Sequence, residues 1–258
     1  MLYKYIAIVI TLCTLIGCSR NAESHYIGQA VSDSAIADTL NTSASLFSQR
    51  NDIKNLRQAV EMLAKVRDPN KRNYEVEWKF AKYCYFLGKA EAAEKDSIAA
   101  YERGRDAGKI ASRIDAYKPD GHFWYAANLG ELGRISPVTV GIKAVDDIRD
   151  SMSAVIAIDP NYQNASAFDA LGQLEMATRT LKGGIVKKAV EYYEKGLELS
   201  PDNANLRLHL AEAYLAMKKE ADARKQLKAL FALKPNPEYA VEHAVALEKG
   251  KEMLAKNF

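Results

Sequence analysis

The sequence predicts an all-α protein, a right-handed superhelix of about five stacked helix pairs with a C-terminal capping helix. Two observations predict it: prolines that recur along the chain in one context, and apolar stripes at helical spacing before them. Asn or Asp follows Pro69, Pro119, Pro160, Pro201 and Pro235, whose spacings are 50, 41, 41 and 34 residues. Since proline cannot continue a helix and Asn or Asp readily starts one, each site should end one helix and open the next.

The stripes justify the individual helices. Ala223, Leu227 and Leu230 precede Pro235 at intervals of four and three, which places them on one helical face, and earlier units repeat this spacing. Small residues, such as Gly104 and Gly108, indicate faces where two helices approach closely. The predicted pairs cover about 34–68, 74–118, 121–159, 162–200 and 203–234, and a final helix covers about 238–256.

The first residues predict export. MLYKYIAIVITLCTLIGC has one lysine followed by a short apolar run, as in a signal peptide. Its end, Leu-Ile-Gly-Cys, resembles the bacterial lipobox, although an ordinary signal peptide would also fit. The predicted division is 1–17 signal peptide of the lipoprotein type, 18–33 tether and 34–258 helical repeat domain. Acylation of Cys18 would anchor the chain to a membrane, facing the periplasm. Ser19 after this cysteine favours the outer membrane in a Gram-negative cell.

The last unit resembles the 34-residue tetratricopeptide repeat, since Leu210-Ala211, Tyr214, Leu227 and Pro235 fall at that motif's positions. The segments YEVEWKFAKYCYFLGK, HFWYAANLGE and LKGGIVKK resemble the T-component family associated with TRAP transporters. Eukaryotic regulators of microtubule dynamics share a similar aromatic, Asn-Leu-Gly segment. The T-component resemblance implies a lipid-anchored periplasmic protein beside a solute-binding protein, acting as a transport accessory or binding module for an apolar small molecule. A general protein-interaction scaffold of the cell envelope fits the same residues.

Two groups of residues are candidates for the ligand or partner surface. An aromatic group with one amide comprises Trp78, Tyr85, Phe123, Trp124 and Asn128. It would form a pocket for an apolar ligand or peptide, unless the rings only fill space between helix pairs. A polar group comprises Asp169, Gln173 and Glu212. It would line a groove for a partner segment, unless it is merely solvated.

Other functions find no support in the sequence. The formal charge of +3 is too small to indicate a nucleic-acid partner. The four histidines are far apart, and no metal-binding or nucleophile motif is present. We therefore expect no enzyme activity, no cofactor and no metal. Cys84 fits a buried apolar position better than a reactive thiol. The sequence is also compatible with a homo-oligomer.

Overall fold

The computed structural model describes residues 32–180 and 183–258, which form a single series of helices. The predicted signal peptide, Cys18 and nearly all of the predicted tether lie outside these residues. The α-helices of the described part are α1 (Asp33–Ser48), α2 (Ile53–Lys65), α3 (Tyr74–Ala90), α4 (Glu94–Ile114), α5 (Pro119–Ile135), α6 (Ile142–Ile158), α7 (Tyr162–Thr178), α8 (Val186–Leu199), α9 (Ala204–Ala216), α10 (Glu220–Phe231) and α11 (Ala240–Asn257). None of them is long and apolar enough to cross a bilayer.

The helices pack as five consecutive pairs, from α1–α2 to α9–α10, and α11 covers the last pair by contacting both α9 and α10. The predicted fold class is confirmed, with helix ends within a few residues of those expected. Pro119 is the first residue of α5, whereas the other four recurring prolines lie in the connections between pairs. Asn236 shows why an amide follows: its side chain accepts a hydrogen bond from the Glu238 backbone N–H at 3.0 Å.

Two local features were not expected from the sequence. A π-helical turn, Pro137–Gly141, connects α5 to α6. At the start of α7, Gln163, Asn164 and Ala165 have positive φ angles of 50°, 58° and 58°. Such left-handed backbone is costly for residues other than glycine. The Asn203 side chain, at the start of α9, holds this turn by donating to the Asn164 carbonyl oxygen at 2.6 Å.

The stack is curved. The first helices of successive pairs (α1, α3, α5, α7 and α9, followed by α11) contact one another along the described chain, whereas the second helices make no contacts with each other there. Because the first helices are closer together, they lie on the concave side. We call their exposed face the inner surface.

Three apolar clusters run in series along the stack, from α1 to α7, from α7 to α9 and from α9 to α11. Small residues allow the two helices of a pair to approach closely, as expected. A Cβ atom on Gly88 would lie 2.4 Å from the Tyr101 ring, and one on Gly172 would lie 2.2 Å from the Tyr193 ring. Both tyrosines are 1% exposed. Each ring therefore packs directly on the backbone of the neighbouring helix.

Candidate functional site

Part of the predicted aromatic group comes together between α3 and α5. The Trp124 ring lies 5.6 Å from the Tyr85 ring and 4.9 Å from the Phe123 ring, between centroids. Trp124 is only 2% exposed, while Tyr85 is partly exposed. Trp78 stands apart from these rings, with the Lys79 ammonium 5.5 Å from its ring centroid.

The Asn128 side chain is buried and hydrogen-bonded within the fold. It is 0% exposed, and its Nδ2 atom donates to the carbonyl oxygens of Ala81 at 3.1 Å and Trp124 at 2.7 Å. A Cβ atom on Gly104 would lie 2.3 Å from the Asn128 side-chain oxygen. Asn128 thus links α3 to α5 beneath the inner surface, and its amide is not exposed to a ligand.

The structure adds four residues to the aromatic group. The Lys82 ammonium lies 5.4 Å from the Phe47 ring centroid and 5.5 Å from that of Trp124. The Arg50 guanidinium lies 4.9 Å from Phe47 and 5.1 Å from Phe86. We call Phe47, Arg50, Lys82, Phe86 and Trp124 the aromatic–cationic patch. The spacing of Lys82 and Phe86, four residues apart, indicates a shared helical face. Their approach to α1 is long-range, and no local pattern predicts it.

Burial and the charge of Arg50 lower the pKa of Lys82 below its ordinary value. Asp120 and Glu238 act in the opposite direction, but more weakly than these two causes. Lys82 on α3 is therefore partly desolvated, and Arg50 lies beside it in the connection that follows α1.

The predicted polar group assembles between α7 and α9. Asp169, which is 7% exposed, accepts a hydrogen bond from the Gln173 side chain at 2.7 Å. Its other carboxylate oxygen lies 2.6 Å from Nδ1 of His209. Gln173 and Glu212 are exposed. His209 was not among the predicted site residues, although it follows Asp169 by 40 residues, close to the repeat spacing of this region.

Charges from several first helices act on one hydroxyl. Burial raises the pKa of Tyr85 well above its ordinary value, and the charges of Glu131 on α5, Glu242 on α11 and Asp169 on α7 add to this. Charges on α5, α7 and α11 therefore all act on this hydroxyl of α3.

Two hollows in the described part of the chain lie elsewhere. One, of about 50 Å³, is lined by polar residues at the starts of α7, α9 and α11, including Asn164, Glu242 and His243. The other, of about 460 Å³, is an open groove beside α10 and α11, lined by Phe231, Leu247 and Leu254 among others. Neither is lined by the predicted aromatic residues. Within residues 32–180 and 183–258, no three His, Cys, Asp or Glu side chains are grouped to hold a metal ion.

Solved structures show the same fold. The chain is similar to TTC0263, a thermophilic tetratricopeptide-repeat protein of Thermus thermophilus, with 19% identity and a TM-score of 0.56 over 82% of this chain and 98% of that one. It is also similar to residues 41 to the end of MamA from Desulfovibrio magneticus RS-1, with 16% identity and a TM-score of 0.51 over 77% of this chain and 94% of that one. At such identities the likeness establishes the architecture alone.

Comparison with curated proteins finds no match. A family model does match, over residues 39–257, which include α2 to α11 entirely and the last ten residues of α1. Its description is regulator of microtubule dynamics protein 1-3. The aromatic, Asn-Leu-Gly segment of α5 had indicated this resemblance. The T-component resemblance stays a prediction. This helical-repeat chain therefore belongs to the regulator of microtubule dynamics protein 1-3 family.

Proposed function

We propose that this chain is a membrane-tethered scaffold whose inner surface binds an extended segment of a partner protein. One observation carries the proposal: the first helices present aromatic, cationic and acidic side chains along one continuous concave face. Repeat proteins use such faces for extended partners, because each repeat adds a contact at a regular interval.

At the predicted aromatic residues, the same geometry favours this function over binding of an apolar small molecule. Small-molecule sites are hollows of about 300–1,000 Å³ lined mainly by apolar side chains. Trp124 is instead packed between its neighbours, and Asn128 is hydrogen-bonded below the surface. Tyr85 and Trp78 keep partial exposure, as expected for residues on the wall of an open groove.

The tether and the location of the protein rest on its sequence. Leu-Ile-Gly-Cys at residues 15–18 supports acylation of Cys18 and a periplasmic repeat domain, with the outer membrane favoured in a Gram-negative cell. The matched family is named for microtubule regulation, whereas an exported chain would meet envelope proteins. The T-component resemblance supports a periplasmic solute-binding protein as the partner and a transport accessory role.

Site-specific photo-crosslinking tests the inner surface. A photoreactive amino acid would replace Gln173 or Glu212, both exposed on first helices, and Glu198, exposed on the second helix α8, in the matched control. We expect one protein, identified by mass spectrometry of membrane extracts, to cross-link at positions 173 and 212 but not at 198. Cross-linking only at 198 would contradict the proposal, as would an intact protein that carries a stoichiometric lipid and cross-links to no protein.

Acyl labelling tests the tether. Cells would be fed an alkyne analogue of palmitate, and labelling of the chain would be compared with that of Cys18→Ser. We expect the variant to lose the label and to keep residues 1–17, because lipoprotein processing follows acylation of the cysteine. Continued labelling of Cys18→Ser would show that this cysteine is not the anchor.

A further inference from the structure

The aromatic–cationic patch holds two positive charges that the described residues do not neutralise. Neither Lys82 nor Arg50 forms an ion pair within residues 32–180 and 183–258. Both lie within 5.5 Å of the same Phe47 ring. Two cations on one ring repel each other, and water compensates them poorly where they are partly buried.

Nearby acids are already engaged or act only from a distance. Asp120 accepts hydrogen bonds from the hydroxyls of Tyr74 at 2.9 Å and Tyr162 at 2.7 Å. Glu131 is bound by Lys89 at 3.0 Å and by Arg134 at 2.8 Å. Glu238 affects Lys82 only through its charge. Within the described part of the chain, therefore, no carboxylate forms an ion pair with Lys82 or Arg50.

The patch also offers an apolar surface to the group beside the anion. Phe47 and Phe86 are partly exposed, with ring centroids 5.3 Å apart in an edge-to-face arrangement. They offer apolar contact directly beside the two cations. Asp169 and Glu212 lie further along the inner surface on α7 and α9, where their negative charge disfavours a second anion.

We propose that the aromatic–cationic patch binds a carboxylate side chain of the partner segment that stands next to an apolar side chain. The carboxylate accepts hydrogen bonds from Lys82 and Arg50, and the apolar neighbour packs on Phe47 and Phe86. This inference rests on the proposed function, because it names the chemistry of the segment that the inner surface takes.

Intrinsic fluorescence makes the patch directly observable. The chain has two tryptophans, Trp78 and Trp124, and Trp124 belongs to the patch. The probes are two synthetic peptides, one with Asp-Phe pairs in a Gly-Ser background and one with Asn-Phe pairs. We expect the Asp-Phe peptide to change the tryptophan emission and to bind at least about tenfold more tightly than the Asn-Phe peptide, since charge-assisted hydrogen bonds are roughly twice as strong as neutral ones.

Variants locate the binding. Lys82→Met and Arg50→Gln should each weaken Asp-Phe binding about tenfold, while Lys82→Arg should retain it. Lys109→Met is the matched control, because the Lys109 ammonium also lies over a ring, 5.5 Å from Tyr125, but belongs to the second helix α4. Lys82→Met should not lower the melting temperature, since it removes a repelled and partly desolvated charge.

Four results would overturn the inference: equal affinity for the two peptides, no binding of either peptide, equal weakening by Lys109→Met, or an emission change with dodecanoate but with neither peptide. Retained cross-links at positions 173 and 212 in Lys82→Met would then show that inner-surface binding stands and only the carboxylate site falls. Absence of cross-links at positions 173 and 212 in the chain that keeps Lys82 would instead refute the proposed function.

Discussion

The Nδ1 atom of His209 lies 2.6 Å from a carboxylate oxygen of Asp169, joining α9 to α7 on the inner surface. Burial alone would lower the pKa of His209. The charge of Asp169 and the hydrogen bond to it outweigh burial, so the pKa is raised above 6.5. Glu212 adds to the increase, and Lys249 opposes it.

This pair makes stability depend on pH. Because the pKa of His209 is higher in the folded protein than in the unfolded chain, its contribution is fully present below about pH 6.5 and is lost as the pH rises through the folded value. His209→Gln should therefore reduce the free energy of unfolding by about 1–2 kcal/mol at pH 6 and by less at pH 9. Urea unfolding at both pH values measures this, and an equal or larger effect at pH 9 would contradict it.

The second prediction concerns the contact between α4 and α5. A Cβ atom on Gly108 would lie 2.5 Å from the Tyr125 backbone nitrogen, and backbone cannot move aside as a side-chain end can. Gly108→Ala should therefore destabilise the fold by about 1–3 kcal/mol.

Gly130→Ala is the matched control for this substitution. Gly130 lies inside α5, and an added Cβ would have no atom of another helix within 4 Å, so alanine should stabilise the protein by about 0.5–1 kcal/mol through helix propensity. Urea unfolding curves of both variants would show opposite shifts. Shifts of the same sign would refute the close helix contact.

The third prediction concerns Glu175, a 3% exposed carboxylate that joins α7 to its neighbours. It accepts hydrogen bonds from Arg149 on α6 and from the backbone N–H of Ile185 at 3.0 Å. Burial would raise the pKa of Glu175, but these hydrogen bonds and the charges of Arg149 and Lys188 lower it. The carboxylate therefore holds the end of the connection to α8.

Glu175→Gln should cost about 1–3 kcal/mol, since it leaves Arg149 without its charged partner. Trypsin should cut more rapidly after Arg179 or Lys187 in this variant. Glu198→Gln, on the exposed side of α8, provides the control and should change neither property. Unchanged cleavage in Glu175→Gln would show that the connection is held by other contacts.

The fourth prediction concerns Cys84, which is 0% exposed in α3. Burial raises the pKa of its thiol to about 12, so almost no thiolate exists at neutral pH. In a chain lacking residues 1–18, a thiol reagent should label this cysteine only after denaturant unfolds the protein. Rapid labelling of the native protein would contradict the packing of α3.

The sequence predicted the helix pairs well, because proline spacing and apolar stripes are local signals. It missed the left-handed turn at Gln163–Ala165, since this turn depends on Asn203, which lies about forty residues further along the chain. No glycine marks the turn. The π-helical turn at Pro137–Gly141 was likewise not apparent from periodicity.

The sequence predicted which residues form the candidate site better than it predicted the surroundings of those residues. Tyr85, Phe123 and Trp124 were placed together from their helical positions, and their rings do meet. The burial of Asn128 depends on the approach of Gly104 from another helix, which spacing alone does not reveal. Arg50 and Lys82 become neighbours only when α1 packs on α3, so their shared ring could not be read from either segment.

The packing of each helix pair on its immediate neighbours has a mechanical consequence. The curve resembles a bow, since the described first helices contact only adjacent first helices and the span between distant ones is left open. A bound segment that lies from α1 to α9 would link first helices that do not touch one another. It would therefore set how strongly the stack curves.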